Sequence, residues 1–415
     1  MEIRSTTDDD FGVFVDTAHA AFGLFPGTPV EGGGLWWSAL EPDRCLLART
    51  TDGRPVGTAA AYPFELTLPG GNLVPVPGVT AVGVLPSHRR QGVLTAMMRR
   101  QLTELRSAGH HFSVLLASEA TIYGRFGYGP ATYTRKLTVE RHRGAFVPPR
   151  ARGAADTAEA AEAGGSLEVG GSIEVLRSSG CGEILEEVYD RYRRAQPGAL
   201  SRPHRWWTLR AGQPPISPAP RYIALHRDTD GVPDGYVSYS LESGTLSVDE
   251  TIAADDAVFT ALARFVLGHD LVTRVVFKHV PPDHPLRHQL VDYRASEVSG
   301  DMDWLWVRLL DVPGALTARG WFEDGELVLD VEDPFLGEHG RHLLTVRDGK
   351  ADCVPTDREP DLSLDVRDLG AVYLGGTAPS TLVRAGHIRA HHPDAATRAD
   401  ALFRTDRTPH CLHWF

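Results

Sequence analysis

The chain has 415 residues, enough for two or three domains that each bury a core. Hydrophobic residues make up 42% and charged residues 23%, as in ordinary globular proteins, and no apolar run reaches the ~18 residues of a membrane span. The net charge of -12, from 42 basic and 54 acidic residues, disfavours a nucleic-acid binder.

Cysteine spacing and the amino terminus indicate a reducing compartment. The four cysteines lie far apart and form no C-x-x-C pair, which disfavours a disulfide framework and a structural zinc site. Neighbouring histidines, of which there are two pairs, seldom face one metal, so we predict no metal site. The first residues, MEIRSTTDDDFGVF, lack the basic and apolar regions of a signal peptide, and a cytoplasmic location is expected.

The first third alternates helix and strand patterns. Apolar residues recur at helical spacing over 10–22 and 91–107, which predicts two helices. Strands are predicted at 45–50, 55–62, 78–86 and 112–118. Asp52-Gly53 between the first two strands is typical of a hairpin turn.

The rest of the chain divides into two regions of different character. Residues 143–172 are rich in Ala, Gly and Glu and predict a connecting segment. For the middle region the patterns predict helices at 183–195 and 256–267 and strands at 221–226, 235–241, 245–251 and 271–278. The final third predicts strands at 326–333, 342–349 and 361–368, followed by helical stretches near 369–375, 380–386 and 395–404. The chain ends in His-Trp-Phe, and so aromatic an ending indicates a terminus packed inward.

LWWSAL at 35–40 resembles RWWTLR at 205–210, and each precedes a strand–turn–strand pattern. Internal duplication and coincidence explain this echo equally well.

The segment VGVLPSHRRQGV at 82–93 carries the strongest chemical signal. An apolar strand leads into Arg89, Arg90 and Gly92 at the mouth of an amphipathic helix. Free N–H groups at a helix amino terminus and the helix dipole form an anion site, and glycine lets the backbone approach a diphosphate. The alternative is an arginine pair on a surface helix. Because arginines oppose the dipole there, a bound anion explains them better.

This loop resembles the R/Q-x-x-G-x-G/A pyrophosphate loop of the GCN5-related N-acetyltransferase (GNAT) superfamily, with Leu94 in place of the last small residue. The run Y-G-R-F-G-Y-G at 123–129 adds a resemblance to the Eis (enhanced intracellular survival) family of GNAT enzymes. The tryptophan pair near the start and the terminal Phe extend that resemblance over the whole chain. It implies a mixed α/β (α+β) fold of tandem GNAT-like domains followed by a sterol-carrier-like domain, at 1–143, 144–299 and 300–415. The middle domain has no R-x-x-G loop and would serve as scaffold.

The resemblance also implies the site residues and an acetyl-CoA co-substrate. Tyr123 would be the general acid, and the terminal carboxylate of Phe415 would act as base. Contacts to the coenzyme would come from Val82, Val84, Arg89, Arg90, Gly92, Val93 and Ser118. Tyr128, in the same motif, is the rival for the acid role, and plain aromatic packing is the alternative for both tyrosines.

These roles suit the chemistry of amine acetylation. An alkyl amine with a pKa of ~10.4 must lose a proton before it attacks, and a carboxylate can accept that proton. A tyrosine hydroxyl can protonate the leaving thiolate.

Five aromatic residues lie in segments that, by the same resemblance, wall the acceptor pocket: Phe22, Phe25, Trp36, Trp37 and Phe64. Aromatic walls suit a partly apolar amine or a cation, and core packing is the alternative for each residue. Eis enzymes acetylate aminoglycosides and lysine-type amines. Those that accept aminoglycosides use acidic pocket groups, whereas Trp414 precedes the terminus here. An aminoglycoside-like acceptor would need Glu31, Glu41 or Asp43 to supply the acidic group.

We therefore expect an N-acetyltransferase acting on a small-molecule primary amine. A protein-lysine acetyltransferase and a non-catalytic binder of an apolar ligand are the alternatives. By family analogy the protein would form a homohexamer, without a nucleic-acid partner.

Overall fold

The computed structural model describes residues 1–23, 39–148, 170–176, 180–210 and 221–415. Phe25, Trp36 and Trp37, which the sequence assigns to the acceptor pocket, lie outside the described residues. The chain forms two compact units, and each unit is built from more than one segment of the sequence. The first unit comprises Met1–Tyr133, Arg193–Trp206 and Asp303–Phe415, and the second comprises Thr134–Tyr192 and Trp207–Met302.

The strands of the described residues, in chain order, are β1 (Glu2–Ser5), β2 (Cys45–Arg49), β3 (Pro55–Thr67), β4 (Leu73–Val84), β5 (Phe112–Leu116), β6 (Gly129–Pro130), β7 (Tyr133–Glu140), β8 (Ser172–Leu176), β9 (Tyr222–Arg227), β10 (Pro233–Glu242), β11 (Thr245–Ala253), β12 (Arg274–Val280), β13 (Ser296–Asp303), β14 (Leu305–Leu309), β15 (Gly325–Asp333), β16 (Glu338–Arg347), β17 (Lys350–Pro355), β18 (Leu362–Asp365) and β19 (Arg389–Ala390).

The α-helices are α1 (Phe11–Ala21), α2 (Val93–Ser107), α3 (Ala120–Tyr123), α4 (Gly182–Ala195), α5 (His204–Arg210), α6 (Asp256–Leu267), α7 (Leu286–Gln289), α8 (Val312–Ala318), α9 (Val366–Tyr373), α10 (Pro379–Arg384) and α11 (Ala395–Phe403). Short 3-10 turns join several of these elements. Within the described ranges, no helix combines the length and the apolar character that crossing a bilayer requires.

The first unit contains a seven-stranded sheet in the order β1-β2-β3-β4-β5-β14-β6. Its turn between β2 and β3 carries Gly53 with φ of 85°, which confirms the predicted hairpin. Successive residues of a strand point to opposite faces of the sheet, and each face carries its own buried cluster of side chains. Helices α1 and α2 pack into different clusters and therefore cover different faces. Phe14 of α1 belongs to one buried cluster, and Met98 and Leu102 of α2 belong to another together with Val79 and Leu115.

Strand β14 completes this sheet from far along the chain. It pairs antiparallel with β5, from Leu305 opposite Leu116 to Leu309 opposite Phe112, and with β6 on its other side. All five of its residues are buried, Arg308 included. This strand is not predicted from the sequence, because it is short and a charged residue interrupts its apolar run.

The first unit also holds a five-stranded sheet, ordered β17-β16-β15-β18-β19, with α9, α10 and α11. The strand predicted over 361–368 is wrong in its second half, because β18 ends at Asp365. The side chain of Asp365 accepts a hydrogen bond of 2.7 Å from the N–H of Arg367 and caps α9.

The second unit is built on a seven-stranded sheet in the order β13-β7-β12-β11-β10-β9-β8. Strand β7 belongs here, although the sequence places residues up to 143 in the first domain. The parallel strands β11 and β12 pair from Thr245 to Val248, and a register shift follows on β11. Helix α6 matches the predicted range of 256–267, with Asp255 capping its first turn.

Candidate active site

Strands β4 and β5 part near the middle of the first sheet. They run parallel, and their register joins only Gly78 with Val114. On its other side β4 bulges against β3, where Ala81 adopts a φ of 52° and its carbonyl accepts a 2.8 Å hydrogen bond from Thr58 Oγ1. The half-buried Val82 and Val84 therefore lie on a stretch of β4 beyond the last pair with β5.

The loop after β4 prepares the amino terminus of α2. Arg90 and Gly92 take left-handed conformations, with φ of 60° and 82°. The first helical hydrogen bond runs from the N–H of Ala96 to the carbonyl of Gly92 at 3.0 Å. In the described part of the chain nothing accepts a hydrogen bond from the N–H groups of Gly92, Val93 and Leu94. These free donors and the positive end of the helix suit an anion, as the sequence predicts.

The two arginines of this loop have different surroundings. The guanidinium of Arg89 donates to the carbonyls of Val84, at 3.2 Å, and Ala21, at 3.1 Å, and so ties β4 to the end of α1. Arg90 is exposed, and no described residue forms a hydrogen bond or ion pair with its side chain. Arg90 is therefore the arginine whose charge is free to face an anion.

Tyr123 ends the short helix α3 and is 7% exposed. Burial raises the pKa of its hydroxyl above the usual value near 10, while a hydrogen bond with the exposed Ser118 lowers it. The phenol therefore keeps its proton at neutral pH. Its ring belongs to the buried cluster that contains Val79, next to the point where β4 and β5 part.

Tyr128 is the other tyrosine of the motif. It is fully buried, and its hydroxyl lies 2.7 Å from Ser113 Oγ. Burial raises the pKa of this phenol too. The rings of Tyr123 and Tyr128 meet edge to face, 6.3 Å between centroids. With its hydroxyl held inside the core, Tyr128 is the less suited of the two to reach a substrate.

The carboxyl-terminal residue packs against the opposite face of β4. Phe415 is 6% exposed, and its ring lies 4.9 Å from that of Phe64. A side chain on Gly78 would collide with Phe64 and lie 3.0 Å from Phe415, so the glycine makes room for both rings. The prediction of an inward-packed terminus is confirmed, while Trp414 is 38% exposed.

Three further aromatic residues surround Phe415, and sequence reasoning did not assign them to the site. The ring of Trp206 lies 4.5 Å from His413 and 5.8 Å from Tyr62, and His413 stacks on Phe415 at 5.9 Å. Burial holds the pKa of His413 well below its usual value, so this ring is neutral. The tryptophan pair at 206–207 and the aromatic ending were the available signals.

Phe22, predicted as a pocket wall, follows α1 and is 57% exposed. Its ring edge would lie 3.9 Å from a side chain placed on Gly83. Phe22 and Phe64 thus flank β4 at different points, near Gly83 and Gly78. Among the described residues, no group of three His, Cys, Asp or Glu side chains could hold a metal ion.

Comparison with known proteins identifies the family. Residues 2–131 and 198–309 each match an acetyltransferase (GNAT) domain, and residues 312–412 match a sterol carrier protein domain. N-acetyltransferase Eis of Mycobacterium tuberculosis is 34% identical over 98% of this chain and 97% of its own length. The chain belongs to the Eis family of GNAT enzymes. It is an N-acetyltransferase, as the sequence predicted.

Further relatives agree with this assignment. An uncharacterized N-acetyltransferase of Streptomyces avermitilis is 37% identical over 91% of this chain and 90% of that protein. The crystal structure of Eis1 from Mycobacterium abscessus superposes with a TM-score of 0.83 at 34% identity and covers all of both chains. The predicted fold of two GNAT domains and a sterol-carrier-like domain is confirmed.

The GNAT fold implies an acetyl-CoA co-substrate, and the residues of the first unit fit it. The free N–H groups of Gly92, Val93 and Leu94 and the charge of Arg90 suit a diphosphate. A side chain on Gly92 would meet nothing within 4 Å, so the backbone lies open to a ligand there. Beyond the pair of Gly78 with Val114, β4 has backbone groups with no partner on β5.

Substitution of Gly92 by Ala should weaken coenzyme binding. At a φ of 82° an alanine costs about 1–2 kcal/mol, and relief of that strain would turn the N–H groups of the loop away. We expect the Kd for CoA, measured by titration calorimetry, to rise about fivefold or more.

Gly53→Ala is the matched control, since Gly53 has a φ of 85° and equally open surroundings in the hairpin between β2 and β3. It should lower stability similarly without changing the Kd. Equal Kd values for both variants would contradict the anion site at Gly92.

Proposed function

We propose that the protein transfers acetyl from acetyl-CoA to a primary amine of a small molecule by direct attack. The observation that carries this proposal is the placement of two groups beside the parting of β4 and β5. Tyr123 lies in the cluster that contains Val79, and Phe415 packs at Gly78 on the other face of the strand. The proposed proton donor and acceptor thus belong to residues that pack at two successive positions of β4, Val79 and Gly78, where the strand parts from β5.

The terminal carboxylate of Phe415 acts as the base. An amine with a pKa of ~10.4 arrives protonated, and a carboxylate, directly or through water, takes its proton. The packing of the Phe415 ring against Phe64, with Gly78 leaving space, supports this role because it holds the end of the chain in place.

Tyr123 acts as the general acid. Bound acetyl-CoA would supply an activated thioester carbonyl and a thiolate leaving group. Tyr123 donates its phenolic proton to that sulfur, and its burial favours the protonated, donating form up to the moment of transfer. Ser118 orients the phenol through their hydrogen bond.

The coenzyme is held by the elements on either side of the parting. Gly92 and Val93 donate backbone N–H groups to the diphosphate, and Arg90 adds a positive charge. Val82 and Val84 offer backbone groups to the pantetheine arm. Arg89 shapes the loop through its bonds to Ala21 and Val84.

We propose that Phe22 and Phe64 wall the acceptor pocket, and the family resemblance adds Phe25, Trp36 and Trp37 to it. Such walls suit a partly apolar amine, or a cationic, aminoglycoside-like amine held against the ring faces. We further propose that the protein is a cytoplasmic homohexamer.

An acetyl-CoA consumption assay tests the function, with kanamycin, spermidine and a lysine-containing peptide as acceptors. We expect turnover of at least one small amine and little of the peptide. Preference for the peptide would favour a protein-lysine acetyltransferase. Absence of both turnover and thermal stabilisation by acetyl-CoA would favour a non-catalytic apolar-ligand binder.

Tyr123→Phe should lower kcat about 10²-fold or more, because it removes the proton donor and keeps the ring. The Kd for CoA should change less than about twofold, since the diphosphate site is elsewhere. Steady-state kinetics and calorimetry give the two values.

Tyr128→Phe is the control for Tyr123→Phe, and it should lower thermal stability through the lost bond to Ser113 while kcat stays close to that of the unaltered enzyme. If Tyr128→Phe lost turnover and Tyr123→Phe did not, the roles would be reversed.

Extension of the chain by two glycines beyond Phe415 should abolish most turnover, because it converts the terminal carboxylate into an amide and moves the charge. The same two residues added before Met1, which is 53% exposed, provide the control. Full activity of the carboxyl-terminal extension, measured in the same acetyl-CoA assay, would refute the base role of Phe415.

A further inference from the structure

Helix α9 of the sterol-carrier-like domain packs closely against the Y-G-R-F-G-Y-G motif at 123–129. A side chain on Gly129 would collide with the carbonyl oxygen of Arg367 in α9. At Gly127, which has a φ of 82°, it would lie 3.0 Å from Val366 Cγ1 and 3.3 Å from Arg308 Nε. These glycines therefore permit close approach of another domain.

Arg308 links that domain to the turn after Tyr123. Its side chain is fully buried, and Nε donates to the carbonyl of Phe126 at 3.0 Å. One terminal nitrogen donates to the carbonyl of Leu309, and the other pairs with Asp333 Oδ2 at 2.5 Å. The donors of a buried guanidinium need hydrogen-bond partners, because an unpaired buried donor is costly. Arg308 therefore holds its three partner groups in fixed positions relative to one another.

Asp333 lies at the end of β15 and is 8% exposed. Its Oδ1 accepts a 3.1 Å hydrogen bond from the N–H of Leu336, and its carbonyl accepts one of 2.8 Å from Gly337. One carboxylate thus holds both Arg308 and the turn between β15 and β16.

Phe335, in the same turn, contacts both the loop that follows Tyr123 and helix α2. The Phe335 ring meets that of Phe126 edge to face at 4.9 Å, and the guanidinium of Arg99, on α2, lies 4.6 Å above it. Glu338, just beyond the turn, pairs with Arg106 of the same helix. The turn therefore touches the tyrosine loop and the helix that begins at Gly92.

We propose that the Arg308–Asp333 pair, with Phe335, is a positioning device through which the sterol-carrier-like domain holds Tyr123 in its donating geometry. This inference rests on the proposed role of Tyr123. Arg308 and Asp333 act through the carbonyl of Phe126, three residues beyond Tyr123. The domain would then contribute to catalysis through this clamp on the motif as well as through the chain terminus.

Asp333→Asn tests the clamp, because it removes the charge at nearly unchanged size. We expect kcat for the amine of highest turnover in the acceptor assay to fall about tenfold, since small misplacement of a reacting group is costly. The Kd for CoA should change less than about twofold. Amide hydrogen exchange of peptides covering 118–130 should quicken, and this measurement needs no substrate.

Asp361→Asn is the matched control. Asp361 is 9% exposed and holds Arg398 of α11 and, at 2.8 Å, the N–H of Val328 in β15. Loss of this carboxylate should lower stability without altering kcat or the exchange of 118–130. Phe335→Ala, on a half-buried turn, is the second variant should Asp333→Asn not fold, and we expect the same direction with a smaller change.

A double-mutant cycle separates positioning from general damage. If Asp333 acts through Tyr123, adding Asp333→Asn to Tyr123→Phe should lower kcat little further, whereas independent effects would multiply. Multiplying effects, or unchanged exchange of 118–130 in Asp333→Asn and Phe335→Ala, would overturn the clamp. If exchange quickens but Tyr123→Phe leaves kcat intact, the clamp on the segment holds and the acid role of Tyr123 fails.

Discussion

The parting of β4 from β5 after a single registered pair is the constraint on which the candidate active site of the first unit depends. Parallel strands that stayed paired would leave neither free backbone on β4 nor room for a ligand between them. The bulge at Ala81 lies on β4 just beyond this pair, and the strand then leads to the proposed anion site at Gly92. The end of β5 leads to Tyr123. One local departure from sheet geometry thus arranges both the coenzyme loop and the proposed proton donor.

The first unit is assembled from distant parts of the chain. Residues 193–206 contribute Trp206, and the final residues contribute His413 and Phe415, all packed together with Tyr62 of β3. Burial, together with the positive charge of Arg202, keeps the imidazole of His413 neutral. In the proposed mechanism the acceptor amine would meet these aromatic rings beside the terminal carboxylate of Phe415. Aromatic rings of this kind suit a partly apolar amine or a cation.

Sequence reasoning predicted the elements that carry their own periodic pattern, such as α2 and α6, and the motifs at 89–93 and 123–129. It missed β7, although Tyr133–Glu140 alternates in burial, and nothing in that alternation could reveal that this strand joins the second sheet. The different surroundings of Arg89 and Arg90 were also beyond it, because they are decided by the carbonyls of Ala21 and Val84. Contacts between remote segments, such as Trp206 with His413, leave only weak local traces. The partners of Arg308 could not be predicted from the sequence either, since a lone arginine in an apolar strand does not reveal which carboxylate it contacts.

The position of β14 has a consequence for biosynthesis. The ~170 residues between β6 and β14 take roughly 10–30 s to translate at ordinary rates. During that interval the emerging chain holds β5 with one edge unpaired, and long-range pairing is slow to form even after synthesis. The sheet of the acetyltransferase domain that is made first therefore cannot be completed before Leu305 leaves the ribosome, and until then β5 keeps an edge open to pairing with other chains.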